Sequence, residues 1–342
     1  VMLLGSMIYM LSRKLKITPS NSLLNSLIAV TSLYIVLIIF EAPWDIYAHT
    51  FILVAIYFTY VRLNSNSKRN LKEWVLIAVF IAASILSKGP VALYALFLPF
   101  LIAYILIYGR ATSKNKWLTL LAVLLFGIVI GFLWFLYVRY KDPLAFNAIA
   151  QRETGNWTSR NVRPFYYYWS FFIQSGLWTI PAFMSLLYPY MKSRVLDVKG
   201  YKFTFFWTLS AVILLSLIPE KKSRYLMPVL IPLALNTGYY ISYLKRASFS
   251  FKHRFEKLPI YFNFGILITA ISGGVIAILY IITQQTIEIT VVGGVALVFS
   301  LIMAIMILYA LRIKNIKYTI YSAVGGFIFI SIAALSVTRN YV

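Results

Sequence analysis

The chain has 342 residues, enough for two soluble domains, but 61% are hydrophobic and only 12% are charged. Soluble globular proteins run at about 45–50% apolar and about 25% charged, so a soluble class is excluded. The absence of Cys excludes a disulfide scaffold, thiolate metal sites and thiol catalysis. The balance of 32 Lys+Arg against 9 Asp+Glu gives +23. In a membrane protein that excess reads first as basic loops that orient helices and meet anionic lipid, not as a nucleic-acid surface.

The sequence starts at Val1 inside an apolar run, Val1–Ser12, too short to span and preceded by no basic segment. This reads as a chain missing its true start, not as a signal peptide. Apolar stretches follow near 22–40, 46–63, 75–87, 90–108, 117–138, 165–190, 203–218, 226–244, 260–283, 291–312 and 318–337. A hydrocarbon core of about 30 Å takes roughly 20 apolar residues, and helices satisfy their own backbone groups within it. The prediction is an all-α polytopic membrane bundle of about 11 transmembrane helices plus a partial first one. It forms a single domain over 1–342, with no internal repeat and no soluble domain.

Alternating the loops places ten cations on one face: Lys88, Arg139, Lys141, Arg152, Arg160, Arg163, Lys221, Lys222, Arg224 and Arg339. The remaining 22 of the 32 lie on the other, which is cytoplasmic by the positive-inside rule. Glu41, Asp45, Asp142, Glu153, Glu220 and Glu288 fall outside with the ten. Cations kept on the disfavoured face need a reason, and a phosphate ligand supplies one, since Arg binds it bidentately and Lys as a point charge.

Three outer segments hold these cations among aromatics and prolines. Ser87-Lys88-Gly89-Pro90 interrupts a hydrophobic stretch, either to line a site or as a tight turn with Lys88 snorkelling to the headgroups. The 139–164 connection is long and amphipathic, as fits an outer-face loop containing an interfacial helix. It runs through Glu153, Arg160 and Asn161 to Arg163-Pro164 and the run Phe165-Tyr166-Tyr167-Tyr168-Trp169, an interfacial belt or a ligand platform. Pro219-Glu220-Lys221-Lys222-Ser223-Arg224-Tyr225 places three cations at the entry of a proline-containing helix, as a phosphate clamp or a headgroup anchor. Glu41-Ala-Pro-Trp-Asp45 reads as a five-residue outer turn. Its carboxylates could be a solvated acidic turn, a general base, a metal ligand or a cation partner, and Asp45 could also cap the next helix. His49 and His253 form no metal pair by spacing, and no nucleotide-binding glycine motif is present.

Leu86-Ser-Lys88-Gly-Pro90, Arg163-Pro-Phe-Tyr-Tyr-Tyr168 and Lys222-Ser-Arg-Tyr225-Leu-Met-Pro228, in this order and spacing, resemble the polyprenyl-phosphate-dependent membrane glycosyltransferases. The likeness is to the bacterial branch of the protein mannosyltransferase and aminoarabinose transferase family, of GT-C architecture, and it runs over essentially the whole chain. It implies transfer of a sugar from a polyprenyl-phosphate donor to an acceptor (lipid, glycan or protein) on the outer face of a bacterial inner membrane. Lys88, Arg163 and Lys222, with Arg224 and Tyr225 adjoining, match the basic positions that hold the lipid phosphate in the family. Asp45 matches a supporting acidic residue. Glu153, Arg160, Asn161 and Tyr166 fall in the loop expected to meet substrate.

Two departures follow from the resemblance. The family's principal catalytic Asp and a Glu-Lys pair belong to the first outer loop, upstream of Val1, so this chain is expected to lack the base and to be inactive alone. Asn161 stands where members often have a His, so the divalent metal that some hold there loses a ligand; no cofactor is otherwise implied. A transporter or flippase for a lipid-linked saccharide is the alternative reading, but transporters commonly show internal repeats and anomalies at the midplane. A purely structural membrane subunit leaves the outer cations unexplained.

Overall fold

Backbone groups in lipid are satisfied only inside the segment, and nearly every apolar stretch of this sequence is accordingly a helix in the computed structural model. It describes residues 1–41, 43–65, 71–109, 112–159, 161–247, 254–285 and 291–338. The helices are α1 Met2–Lys14, α2 Pro19–Val30, α3 Leu33–Glu41, α4 Pro43–Asn64, α5 Leu71–Lys88, α6 Leu98–Tyr108, α7 Lys114–Lys141 and α8 Pro143–Ser159. They continue as α9 Thr179–Leu186, α10 Tyr188–Lys192, α11 Val198–Leu217, α12 Met227–Ala247, α13 Leu258–Gln285, α14 Val291–Arg312 and α15 Ile316–Thr338. Among the described residues six helices are long and apolar enough to cross a membrane, or seven if the bent pair α2–α3 is one span. The chain is an integral membrane protein built as a helical bundle.

The predicted stretches differ from the helices in three places. The stretch near 22–40 bends by 55° between α2 and α3. There Thr31 Oγ1 and Ser32 Oγ donate back to the carbonyls of Leu27 and Ile28, and the Trp178 indole donates to Thr31 Oγ1 at 2.9 Å. Such back-bonding competes with the helical ladder and bends it. The stretch 165–190 is not one helix. It breaks into 3₁₀ turns over Phe165–Tyr168 and Phe171–Trp178 and the short α9 and α10. Pro164, Pro181 and Pro189 withhold donors, and Gly176 adopts φ +61°. A Cβ on Gly176 would lie 2.6 Å from Leu33 Cβ, so the contact with α3 also requires glycine. Lastly, the 139–164 connection, read as a loop containing a short helix, is helical over most of its length: α7 extends through Lys141 and α8 fills Pro143–Ser159.

The core sits around α4, of whose apolar stretch 78% is buried, whereas α7 lies at the periphery with 17%. α5 packs between them. Gly127 and Gly131 of α7 face α5, where a Cβ would come within 2.8 Å of the Ala78 carbonyl and of Ile85 Cβ respectively. Small residues four apart let two helix backbones approach where lipid gives no hydrophobic drive, and the two helices are held by dispersion contacts. Asn236 of α12 ties the interior laterally, donating to Ser185 and accepting from Thr204.

Candidate functional site

The cations divide between two ends of the bundle. At one end Lys116 donates to the Leu63 and Ser65 carbonyls, Arg62 pairs with Glu73 at 3.4 Å, Lys245 meets Asn21, and Arg194 pairs with Glu256 at 3.0 Å. These residues belong to the charge set read as cytoplasmic. At the other end lies a different cluster, assembled from α4, α5 and the two links 161–168 and 218–226.

α5 ends at Lys88 because Gly89 takes φ +73° and Pro90 cannot continue the hydrogen-bond ladder. At the break the Lys88 ammonium turns toward α4. It forms an ion pair with Asp45 Oδ1 and lies 5.6 Å from the centre of the Tyr225 ring. Asp45 is 2% exposed and sits inside the first turn of α4, which already begins at Pro43. The predicted five-residue turn is therefore shorter, and Asp45 does not cap the helix. The side chain of Glu41 lies outside the described residues. One turn further along, His49 is buried with Nδ1 at 2.7 Å from the Asp45 carbonyl; His253 lies outside the described residues.

The segment Pro219–Lys222 is extended, so alternate side chains point to opposite sides. Glu220 and Lys222 share one side, where Lys222 Nζ meets Glu220 Oε1 at 2.5 Å. The Tyr225 hydroxyl donates to Glu220 Oε2 at 3.3 Å and accepts from Lys222 Nζ at 3.4 Å. Burial disfavours the charged Lys222, but Glu220 and Tyr225 outweigh it and hold its pKa above the usual lysine value. Lys221 points the other way and is 4% exposed, donating to the carbonyls of Ile218 at 2.6 Å and Arg163 at 3.0 Å.

Those contacts join the two links. Val162 and Glu220 form an antiparallel bridge, with Arg163 N donating to Pro219 O and Lys221 N to Asn161 O. Asn161 reaches this geometry at φ +53°, a left-handed value that Asn tolerates. Tyr168, 1% exposed, accepts from the Lys222 amide at 3.0 Å and donates to its carbonyl at 3.1 Å. The Arg163 guanidinium stacks over the Tyr167 ring at 5.9 Å, and Arg224 over the Tyr225 ring at 5.8 Å. Arg224 Nε is buried with no hydrogen-bond partner in the protein, and so is Asp45 Oδ2.

Of the residues singled out in the sequence, Asp45, Lys88, Arg163, Lys222, Arg224 and Tyr225 thus come to one end of the bundle. Asn161 enters through its backbone, and Tyr166 stands at the edge, 71% exposed. Arg160 and the side chain of Glu153 lie outside the described residues. Sequence reasoning named three further members of the cluster within their segments but gave them no individual role: Glu220, which neutralises Lys222; Lys221, which staples the links; and Tyr168, which fixes the Lys222 backbone. The alternation along Pro219–Lys222 was the signal available for the first two. Among the described residues no three His, Asp or Glu side chains are grouped as metal ligands.

Around this cluster the bundle has a fold known from solved structures. Two solved structures share it, both ArnT from Cupriavidus metallidurans. The one bound to undecaprenyl phosphate superimposes with TM-score 0.64 at 16% identity, over 98% of this chain and 61% of that one. The apo state gives 0.62 at 17% identity, over 99% and 62%. The chain therefore spans less than two thirds of the length of these structures. No family model and no curated protein matches it.

Proposed function

We propose that the cluster binds the phosphate of a polyprenyl-phosphate-linked sugar and serves a glycosyltransferase that moves the sugar to an acceptor on the outer face. The observation that carries this reading is the buried Arg224 Nε without a partner beside Lys88, Lys222 and Arg163. Five cations, counting Lys221, stand against two carboxylates, Asp45 and Glu220, so the cluster keeps an excess of positive charge. A buried donor without a partner costs about 1–3 kcal/mol, and a phosphate oxygen is the acceptor that relieves both that and the charge excess. The fold adds support, since one solved protein that shares it is bound to undecaprenyl phosphate.

In the proposed reaction an acceptor hydroxyl oxygen bonds to the anomeric carbon and releases its proton to water as the bond from that carbon to the phosphate oxygen breaks, and negative charge grows on the leaving polyprenyl phosphate. Lys88, Lys222, Arg163 and Arg224 are positioned to stabilise that charge, a preorganised effect of about 3–4 kcal/mol per contact in comparable sites. Asp45 and Glu220 orient the two lysines in a supporting role. The site faces the exterior or periplasm, opposite the end rich in Lys and Arg.

The test is sugar transfer from a labelled polyprenyl-phosphate sugar by the native gene product in its own membranes, beside Arg163→Ala and Lys222→Ala. Each variant is expected to lower turnover at least tenfold. Near-normal transfer by both would sink the phosphate clamp. Flipping of the labelled lipid without transfer would hand the site to a transporter.

A further inference from the structure

Lys221 takes no part in the reaction set out above. Its side chain points to the opposite side of the extended segment from Glu220 and Lys222, and it is 4% exposed. An ammonium is strongly hydrated, so burying one is unfavourable unless it is paired. Lys88 and Lys222 meet that requirement with carboxylates, Asp45 and Glu220. Lys221 meets it with two main-chain carbonyls instead, Ile218 O at 2.6 Å and Arg163 O at 3.0 Å. The first belongs to its own link, and the second lies 58 residues away on the other.

Arg163 is restrained from the 218–226 link through both its backbone and its side chain. Its amide donates to Pro219 O at 3.3 Å, and its carbonyl accepts from Lys221. Its guanidinium lies over the Tyr167 ring, whose hydroxyl is 3.3 Å from Ser223 Oγ. The dependence also runs the other way, since Tyr168 of the first link holds both backbone groups of Lys222. Each link thus carries a cation of the cluster whose main chain the other link fixes. The Lys221 contacts are the charge-assisted ones in this interlock, and such bonds are roughly twice as strong as neutral ones.

On the reading of the cluster as a phosphate clamp, we propose that Lys221 is a positioning residue for Arg163. It touches no phosphate itself. Its buried ammonium fixes the Arg163 main chain against the 218–222 segment, so that the guanidinium is preset where the phosphate arrives. The two links then engage the ligand as one unit, and the ordering that binding would otherwise require is already present in the fold.

The experiment is a double-mutant cycle on affinity, with undecaprenyl phosphate as the probe and native mass spectrometry of the whole protein as the readout. The four forms are the parent, Lys221→Met, Arg163→Ala and the two combined. Lys221→Met alone is expected to weaken binding about tenfold, within the coupling found between contacting residues. Added to Arg163→Ala, it should weaken binding further by less than about twofold, because the residue it positions is gone. Equal losses in the two backgrounds overturn the proposal, since Lys221 would then act through fold stability or through its own charge. Unchanged affinity in Lys221→Met overturns it as well. Should Lys221→Met fail to fold, Lys221→Gln, which keeps a donor without the charge, replaces it with the same expectations. A parent that binds no undecaprenyl phosphate refutes the clamp and this inference with it, whereas a parent that binds and shows equal losses leaves the clamp standing.

Discussion

Tyr168→Phe removes a single oxygen, yet the structure assigns that oxygen both backbone groups of Lys222. The hydroxyl accepts from the Lys222 amide at 3.0 Å and donates to the Lys222 carbonyl at 3.1 Å, from a side chain 1% exposed. A hydrogen bond of this kind is worth about 0.5–1.5 kcal/mol net, and a partner left buried and unsatisfied costs about 1–3 kcal/mol. Losing two at once is therefore expected to destabilise the protein by about 1–3 kcal/mol, the lower end applying if water reaches the freed groups. The effect should not stop at stability. Lys222 loses the fixed backbone from which its ammonium meets Glu220, so turnover should fall severalfold while the cations remain chemically intact. Thermal unfolding in detergent measures the first effect and sugar transfer the second. Tyr166→Phe, two residues away and largely exposed, is the control and should leave unfolding unchanged. Equal unfolding temperatures and equal turnover for Tyr168→Phe and the parent would refute Tyr168 as the positioning residue for Lys222.

Further outcomes follow from packing and charge. Gly131→Leu places a Cβ 2.8 Å from Ile85 Cβ, one turn before Lys88. Overpacking of this kind costs about 1–3 kcal/mol, and unfolding temperature should drop while the same change at Gly265, which meets nothing within 4 Å, is tolerated. The raised pKa of Lys222 gives a pH signature. Stability from a group whose pKa rises on folding is complete below its unfolded value and is lost as pH climbs through its folded value. The difference in unfolding temperature between the parent and Lys222→Met should hold from pH 6 to 9 and shrink only above 10.5, the ordinary lysine value. A difference that faded near neutrality would contradict the Glu220 pairing.

Much of this was legible in the residues because membrane helices obey a local rule. An apolar run long enough to span satisfies its own backbone wherever it sits. Helices were therefore readable at 46–63, 117–138 and 291–312, as was the break at Gly89-Pro90. Where helices fail, the decision passes to partners distant in sequence. The bend at Thr31–Ser32 takes a hydrogen bond from Trp178, and Gly176 is needed because Leu33 lies against it. Neither contact has a periodic signature.

The site divides along the same line. Residue type and expected membrane face suffice to nominate the segments that hold Lys88, Arg163 and Lys222, because a cation on the disfavoured side of a membrane is informative by itself; the family resemblance then picks out these three. Which carboxylate faces which lysine is a property of the assembled bundle. Asp45 reaches Lys88 from α4, and Glu220 turns toward Lys222 while Lys221 turns away into the Arg163 carbonyl. Charge and hydropathy accumulate along the chain and can be read from it. Pairing depends on three-dimensional proximity between links more than fifty residues apart, and only the packing of the helices brings them together.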